Sequence, residues 1–262
     1  MPARRGLIAA ASLLGLLALW AWATSPLGPV SPVRFPSPAL VAAAFVQIAT
    51  VGFAGATLPR QVLASLFLVV EGFLIAASTG TALGLAMGVS RRFAAFVNPV
   101  FQLLRPIPPL AWIPLAILWL GLGNAAKVLV IWFAAFVPAV INAETGVREI
   151  APHLLEAARM LGTNRLRMLA EIVVPAAAPM IFTGLRLSLQ ASWTTLIAAE
   201  LVGSFYGLGH VLNEAQQDIY PGMIFVGMAL VGLCGWLTTA ILAAIERHLL
   251  GWHASVRRAA DA

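Results

Sequence analysis

The stretch Glu156-Ala157-Ala158-Arg159-Met160-Leu161-Gly162, followed after nine residues by Ile172-Val173-Val174-Pro175, decides how the chain is read. It sits in a long charged segment, residues 144–175, between two apolar runs. Pro152 suits the first turn of a helix, and Gly162 suits the left-handed residue that ends one. Thr163 or Asn164 can cap a second helix, which Pro175 is expected to stop. Glu156 is expected near the positive end of the first helix, where its charge is favourable. Ala157 and Ala158 lack bulk, so another protein surface could approach closely. Taken physically, the segment is a helix–turn–helix outside the hydrocarbon. It either couples to something or merely joins two spans.

The rest of the chain supplies the hydrocarbon. Of 262 residues, 61% are hydrophobic and 10% charged, against about 25% charged in a soluble domain. Several uncharged stretches reach the roughly 17–25 residues that a crossing needs. The reading is an all-α membrane protein with six transmembrane helices. The expected spans are residues 6–24, 61–89, 97–120, 126–143, 176–202 and 222–246. The third is broken by Pro106, Pro108, Pro109 and Pro114.

Residues 25–60 form an expected outer segment: five prolines in 25–38 forbid a helix interior there. Within it, 39–57 is apolar and reads as a surface helix, with a seventh span the alternative. Residues 203–221 read as a polar outer loop carrying His210 and Asp218. The first span, preceded by Arg4 and Arg5 and ending Ala21-Trp22-Ala23, also fits a cleaved signal peptide; a retained helix is the preferred reading.

Charge sets the orientation. Net charge is +6, and fifteen of the sixteen basic residues are Arg. Six spans put eleven of them (Arg4, Arg5, Arg91, Arg92, Arg148, Arg159, Arg165, Arg167, Arg247, Arg257, Arg258) on one side. Arg34, Arg60 and Lys127 fall on the other. The excess marks the cytoplasm, which receives both termini and the 144–175 segment. No basic run with interleaved aromatics suggests nucleic acid. The lone Cys234 can form no internal disulfide.

The 156–175 spacing resembles the Glu-Ala-Ala ("EAA") loop of ATP-binding-cassette (ABC) import permeases, with Val174 in place of the loop's Leu. Pro36-Ser37-Pro38, the run Ile107 to Leu115 and Thr195 to Leu201 look like the taurine, aliphatic-sulfonate and nitrate branch. The resemblance covers about residues 36–252. It implies the type I importer permease fold of the bacterial inner membrane, with Glu156, Ala157, Ala158 and Gly162 coupling the permease to a separate ATPase. It further implies two ATPases, which carry ATP and Mg, a second copy of this chain, and a periplasmic substrate-binding protein. A phosphate-binding loop needs Gly, four residues, then Gly-Lys-Ser/Thr. The only lysine, Lys127, follows Ala126, so the chain is read as a transport subunit binding no cofactor itself.

Polar residues inside spans invite functional readings. Thr183, Arg186, Gln190, Trp193, Ile197, Glu200 and Ser204 recur every three or four residues, so they share a helix face. Arg186, Gln190, Trp193 and Glu200 are candidates for a translocation pathway. The alternative is structural pairing, perhaps of Arg186 with Glu71 or Glu144. Arg105 could line the same cavity or snorkel to the cytoplasmic interface. Trp112, Trp119, Trp132 and Trp236 read as interface anchors or packing. An intramembrane enzyme would need a constellation such as His-Glu-x-x-His. His153, His210, His248 and His253 are scattered instead, so neither a catalytic nor a metal site is expected. The expected cargo is a small organic anion such as taurine or another sulfonate. Nitrate or a heterocyclic vitamin precursor is the alternative, and an ion-coupled secondary carrier is the competing class.

Overall fold

A computed structural model describes residues 2–25, 28–31 and 35–251, excepting the side chains of residues 2–10 and 13. The charge-count positions Arg34, Arg257 and Arg258, like His253, lie outside the described residues, as do the side chains of Arg4 and Arg5. The chain is helical: α1 (Pro2–Ala23), α2 (Pro38–Thr50), α3 (Leu58–Val89), α4 (Arg91–Leu104), a 3₁₀ turn (Pro109–Trp112), α5 (Ile113–Leu120), α6 (Asn124–Arg148) and α7 (Pro152–Met160). Then come α8 (Arg165–Arg167), a π turn (Met168–Val173), α9 (Val174–Gly203), α10 (Leu208–Gln217) and α11 (Pro221–Leu249). Among the described residues four helices are long and apolar enough to cross a membrane, and α4 with the 109–120 segment makes a fifth if that bent pair counts as one span. The 22-residue α1 is about 33 Å long at 1.5 Å per residue.

Several expectations need correction. The third span breaks at its proline cluster as expected, turning through 84°, but it starts at Arg91 instead of residue 97, where the Ser90 hydroxyl accepts the Phe93 N–H. Each proline removes a donor and clashes with the preceding turn. Helix α2 has 13 residues, about 20 Å at helical rise. That is too short for a seventh span. The 203–221 segment is not a loop: Leu208, Val211 and Ala215 recur at helical spacing and bury one face of α10. His210 therefore lies on a helix, and Asp218 caps its C-terminus.

By contact density the chain divides into two units, residues 1–65 with 204–233 and residues 66–203 with 234–262. In the first, Trp20, Phe35 and Phe225 form an aromatic cluster with centroids 4.8–6.0 Å apart. The fully buried Gln61 holds three backbone groups. Its amide nitrogen donates to the Phe53 and Ala54 carbonyls, and its Oε1 accepts the Gly207 N–H at 2.7 Å. The Ser65 hydroxyl accepts the Leu208 N–H at 2.8 Å. These two side chains satisfy donors at the start of α10 that no helical turn can.

In the second unit α6 is the hub. Gly72, Gly80, Gly84 and Gly88 lie along α3 where a Cβ would meet Ile131, Ala139, the Val140 carbonyl and Val147 at 2.4–2.8 Å. On the other side of α6, Gly146 abuts Met180 and Ala177, and Gly184 abuts Asn142. Small residues let the backbones approach closely, which is how helices gain packing where lipid offers no hydrophobic drive.

Candidate functional site

Helix α7 begins with Pro152 in its first turn and ends in a full Schellman motif. Gly162 has φ +74°; its N–H donates to the Arg159 carbonyl and the Thr163 N–H to the Ala158 carbonyl. The left-handed residue is where the sequence puts it. Asn164, not Thr163, is the next cap, its Oδ1 accepting the Arg167 N–H at 2.9 Å. Two details differ. Glu156 is one turn further into the helix than the dipole argument needs, since the first turn holds no acidic residue. Ala158 is buried inside the chain and only Ala157 faces outward.

Pro175 does not stop a helix either. The chain runs as one helical segment from Arg165 to Gly203, with the π turn directly before the proline. Its wider i→i+5 pattern falls where Pro175 has no N–H to give. Sequence reasoning missed the apolar side chains of this loop: Met160, Leu161 and Leu166 are 89, 85 and 79% exposed. Their signal was in plain view, large apolar residues beside Arg159, Arg165 and Arg167.

The stripe on α9 splits in two. Thr183, Arg186 and Gln190 are exposed on the chain, whereas Trp193 and Glu200 are buried. Arg186 pairs with Glu246 of α11, not with Glu71 or Glu144; Glu144 pairs with Arg148 one turn along α6. The Trp193 indole donates to the Thr238 hydroxyl at 3.0 Å. Glu200 is fully buried and interacts electrostatically with the buried Lys127 of α6. Lys127, counted on the outer side by the charge argument, is buried in the protein interior.

Arg105 caps α4 at the bend and is exposed. It lines a cavity of about 260 Å³ whose α6 wall runs from Trp132 to Pro138. Those residues are the middle of α6. Trp112 stacks on Phe133 with centroids 4.1 Å apart, and Trp132 packs against Phe133 and Phe136. Trp132 and Glu71 also line a second, more open cavity of about 570 Å³. Among the described residues no group of His, Cys, Asp or Glu could hold a metal ion.

Residues 79–251, from mid-α3 to the end of α11, match the family described as the inner membrane component of binding-protein-dependent transport systems. The chain belongs to that family, the permeases of ABC importers. This permease is 35% identical to the taurine transport system permease protein TauC of Escherichia coli (strain K12), over 94% of this chain and 90% of that one. It is 34% identical to the putative aliphatic sulfonates transport permease protein SsuC of Bacillus subtilis (strain 168), over 92% and 85%. It is 38% identical to the bicarbonate transport system permease protein CmpB of Synechococcus elongatus, over 72% and 69%. A solved structure of the MetNI methionine ABC transporter aligns with TM-score 0.60 at 19% identity, covering 74% of this permease and 99% of that chain. The fold is therefore that of a type I importer permease, a multi-pass membrane protein.

Proposed function

We propose that this permease forms the pathway through which an ATP-driven importer moves a small organic anion, taurine or another sulfonate, into the cytoplasm. ATP and Mg belong to a separate ATPase, present in two copies. Helix α7 seats against it through Ala157 and Glu156, with Met160, Leu161 and Leu166 filling the contact. The observation that carries this reading is that exposed apolar trio around a glycine-ended helix. Large apolar side chains grouped in a strongly charged segment mark a protein interface. A second copy of the chain completes the pathway, a periplasmic binding protein delivers the cargo, and both termini are cytoplasmic. The taurine and sulfonate permeases, matched over nearly the whole chain, support the cargo class. The bicarbonate permease, matched over less of it, favours an inorganic anion as the second reading.

The test is to co-express the permease with its ATPase and binding protein, and to measure uptake of labelled taurine and bicarbonate, ATP hydrolysis and ATPase recovery. Gly162→Val, Ala157→Trp and Glu156→Lys should each insert into the membrane and dimerise, yet lose uptake or release the ATPase. The valine is strained at positive φ; nothing lies within 4 Å of where its Cβ would sit, so backbone geometry is the sole insult. Normal coupling in all three variants would refute the assignment.

A further inference from the structure

We propose that the cavity at the bend between α4 and α5 is a binding station for an anion carrying a short apolar body, an alkyl or aryl sulfonate, with Arg105 as its anchor. The proposal deepens the importer reading and rests on it for the origin of the ligand. Three observations carry it. The first is height: the α6 wall of the cavity spans the middle of that helix, and a guanidinium at such depth is costly unless a counter-charge or water meets it. The second is charge. No carboxylate lines the cavity, whereas Glu71 lines the neighbouring one, so the favourable place for an anion is the Arg105 side. The third is the wall. Phe101, Trp112, Trp132, Phe133 and Phe136 line the cavity together with Arg105, giving an apolar lining with a single charged donor fork.

That wall is already fixed. Trp112 lies nearly parallel to Phe133, and the Trp132 N–H is engaged by the Thr79 hydroxyl at 3.0 Å. A preorganised site spends less affinity on ordering its side chains. A volume of about 260 Å³ falls just under the roughly 300–1,000 Å³ of drug-sized sites, which suits a small organic anion. The planar guanidinium matches the oxygens of a sulfonate in pairs. Bicarbonate offers oxygens but no apolar body, so the rings give it nothing. Trp132 lines both cavities.

The experiment titrates the intact permease–ATPase complex in lipid nanodiscs with butane-1-sulfonate, reading intrinsic tryptophan fluorescence and, in parallel, native mass spectrometry. A saturable change is expected. Arg105→Gln should raise the apparent Kd at least tenfold, and Arg105→Lys, which keeps charge but loses the fork, about threefold to tenfold. Trp112→Phe, which removes an indole from the cavity wall, should reduce the amplitude of the fluorescence change. Bicarbonate at equal concentrations should give no saturable change. The proposal is overturned by an absent response, by equal affinity in Arg105→Gln and Arg105→Lys to the unmodified protein, by an equal response to bicarbonate, or by a lipid that occupies the complex and is not displaced. Binding needs no ATP, so failure here leaves the coupling result standing. Failure of coupling likewise leaves this titration intact.

Discussion

Arg186 of α9 is ion-paired with Glu246 of α11, 60 residues further along the chain. The pair ties two long apolar helices together, and it accounts for both charges without a ligand. Arg186 remains about half exposed and Glu246 less so, so its attraction is partly screened. Replacing either residue with Ala, and both together, should give a coupling of no more than about 1 kcal/mol in thermal unfolding in detergent. The exchanged pair, Arg186→Glu with Glu246→Arg, should recover uptake lost by the single Arg186→Glu change. Loss of uptake in the exchanged pair would assign Arg186 a role in the pathway itself.

Lys127 and Glu200 present the opposite case, because both are buried. Removing one partner strands the other charge, at a cost of about 3–5 kcal/mol. Glu200→Leu should therefore lower the unfolding midpoint far more than Glu246→Ala. Lys127→Met combined with Glu200→Leu should recover most of that loss. Equal midpoints for the single and double variants would show that the two groups are not coupled.

On the face of α9, single cysteines in a Cys234→Ser background separate pathway from packing. Thr183→Cys and Gln190→Cys should react with a water-soluble thiol reagent, and differently with and without ATP. Leu189→Cys and Leu196→Cys, from buried positions, should stay protected. Protection at all four would remove the exposed part of this face from the pathway.

The α3–α6 contact is testable through its glycines. Gly84→Ala puts a methyl group 2.4 Å from the Val140 carbonyl, an overpacking that costs about 1–3 kcal/mol. Gly232→Ala on α11 has nothing within 4 Å and should be neutral or stabilising, since Ala is the better helix former by about 0.8–1.0 kcal/mol. Unfolding midpoints of the two variants compare directly.

In the loop, Ala157 and Ala158 should part company. Ala157→Trp leaves the permease folded but without its ATPase. Ala158→Trp, forced into a buried position, should unfold the loop itself, seen as rapid proteolysis after Arg159. Identical behaviour of the two would contradict the burial difference.

Local chemistry made much of this legible. Pro152, Gly162 and Asn164 each dictate backbone through one side chain or its lack, so the α7 turn was readable residue by residue. Apolar runs gave the long helices for the same reason. Pro175 misled because a proline's effect depends on the turn before it, and a π turn has no sequence signature. The stripe on α9 was real as geometry, yet periodicity says which residues share a face and not what covers it. Trp193 and Glu200 are covered by Thr238 and by burial against α6; Gln190 is not. The bend at residues 105–108 was marked by its prolines. Its cavity is built from Trp112, Trp132 and Phe133, and only tertiary contact brings those together.

The unbroken helical course from Arg165 to Gly203 has a mechanical consequence. At 1.5 Å per residue its 39 residues make a rod about 58 Å long, with the Asn164 cap at one end and Glu200 near the other. A tilt of about 5° about one end would carry the far end through about 5 Å, roughly the pitch of one helical turn. No hinge loop lies between them to absorb that swing. A small tilt at the loop would thus become a displacement of the buried charge at the opposite end.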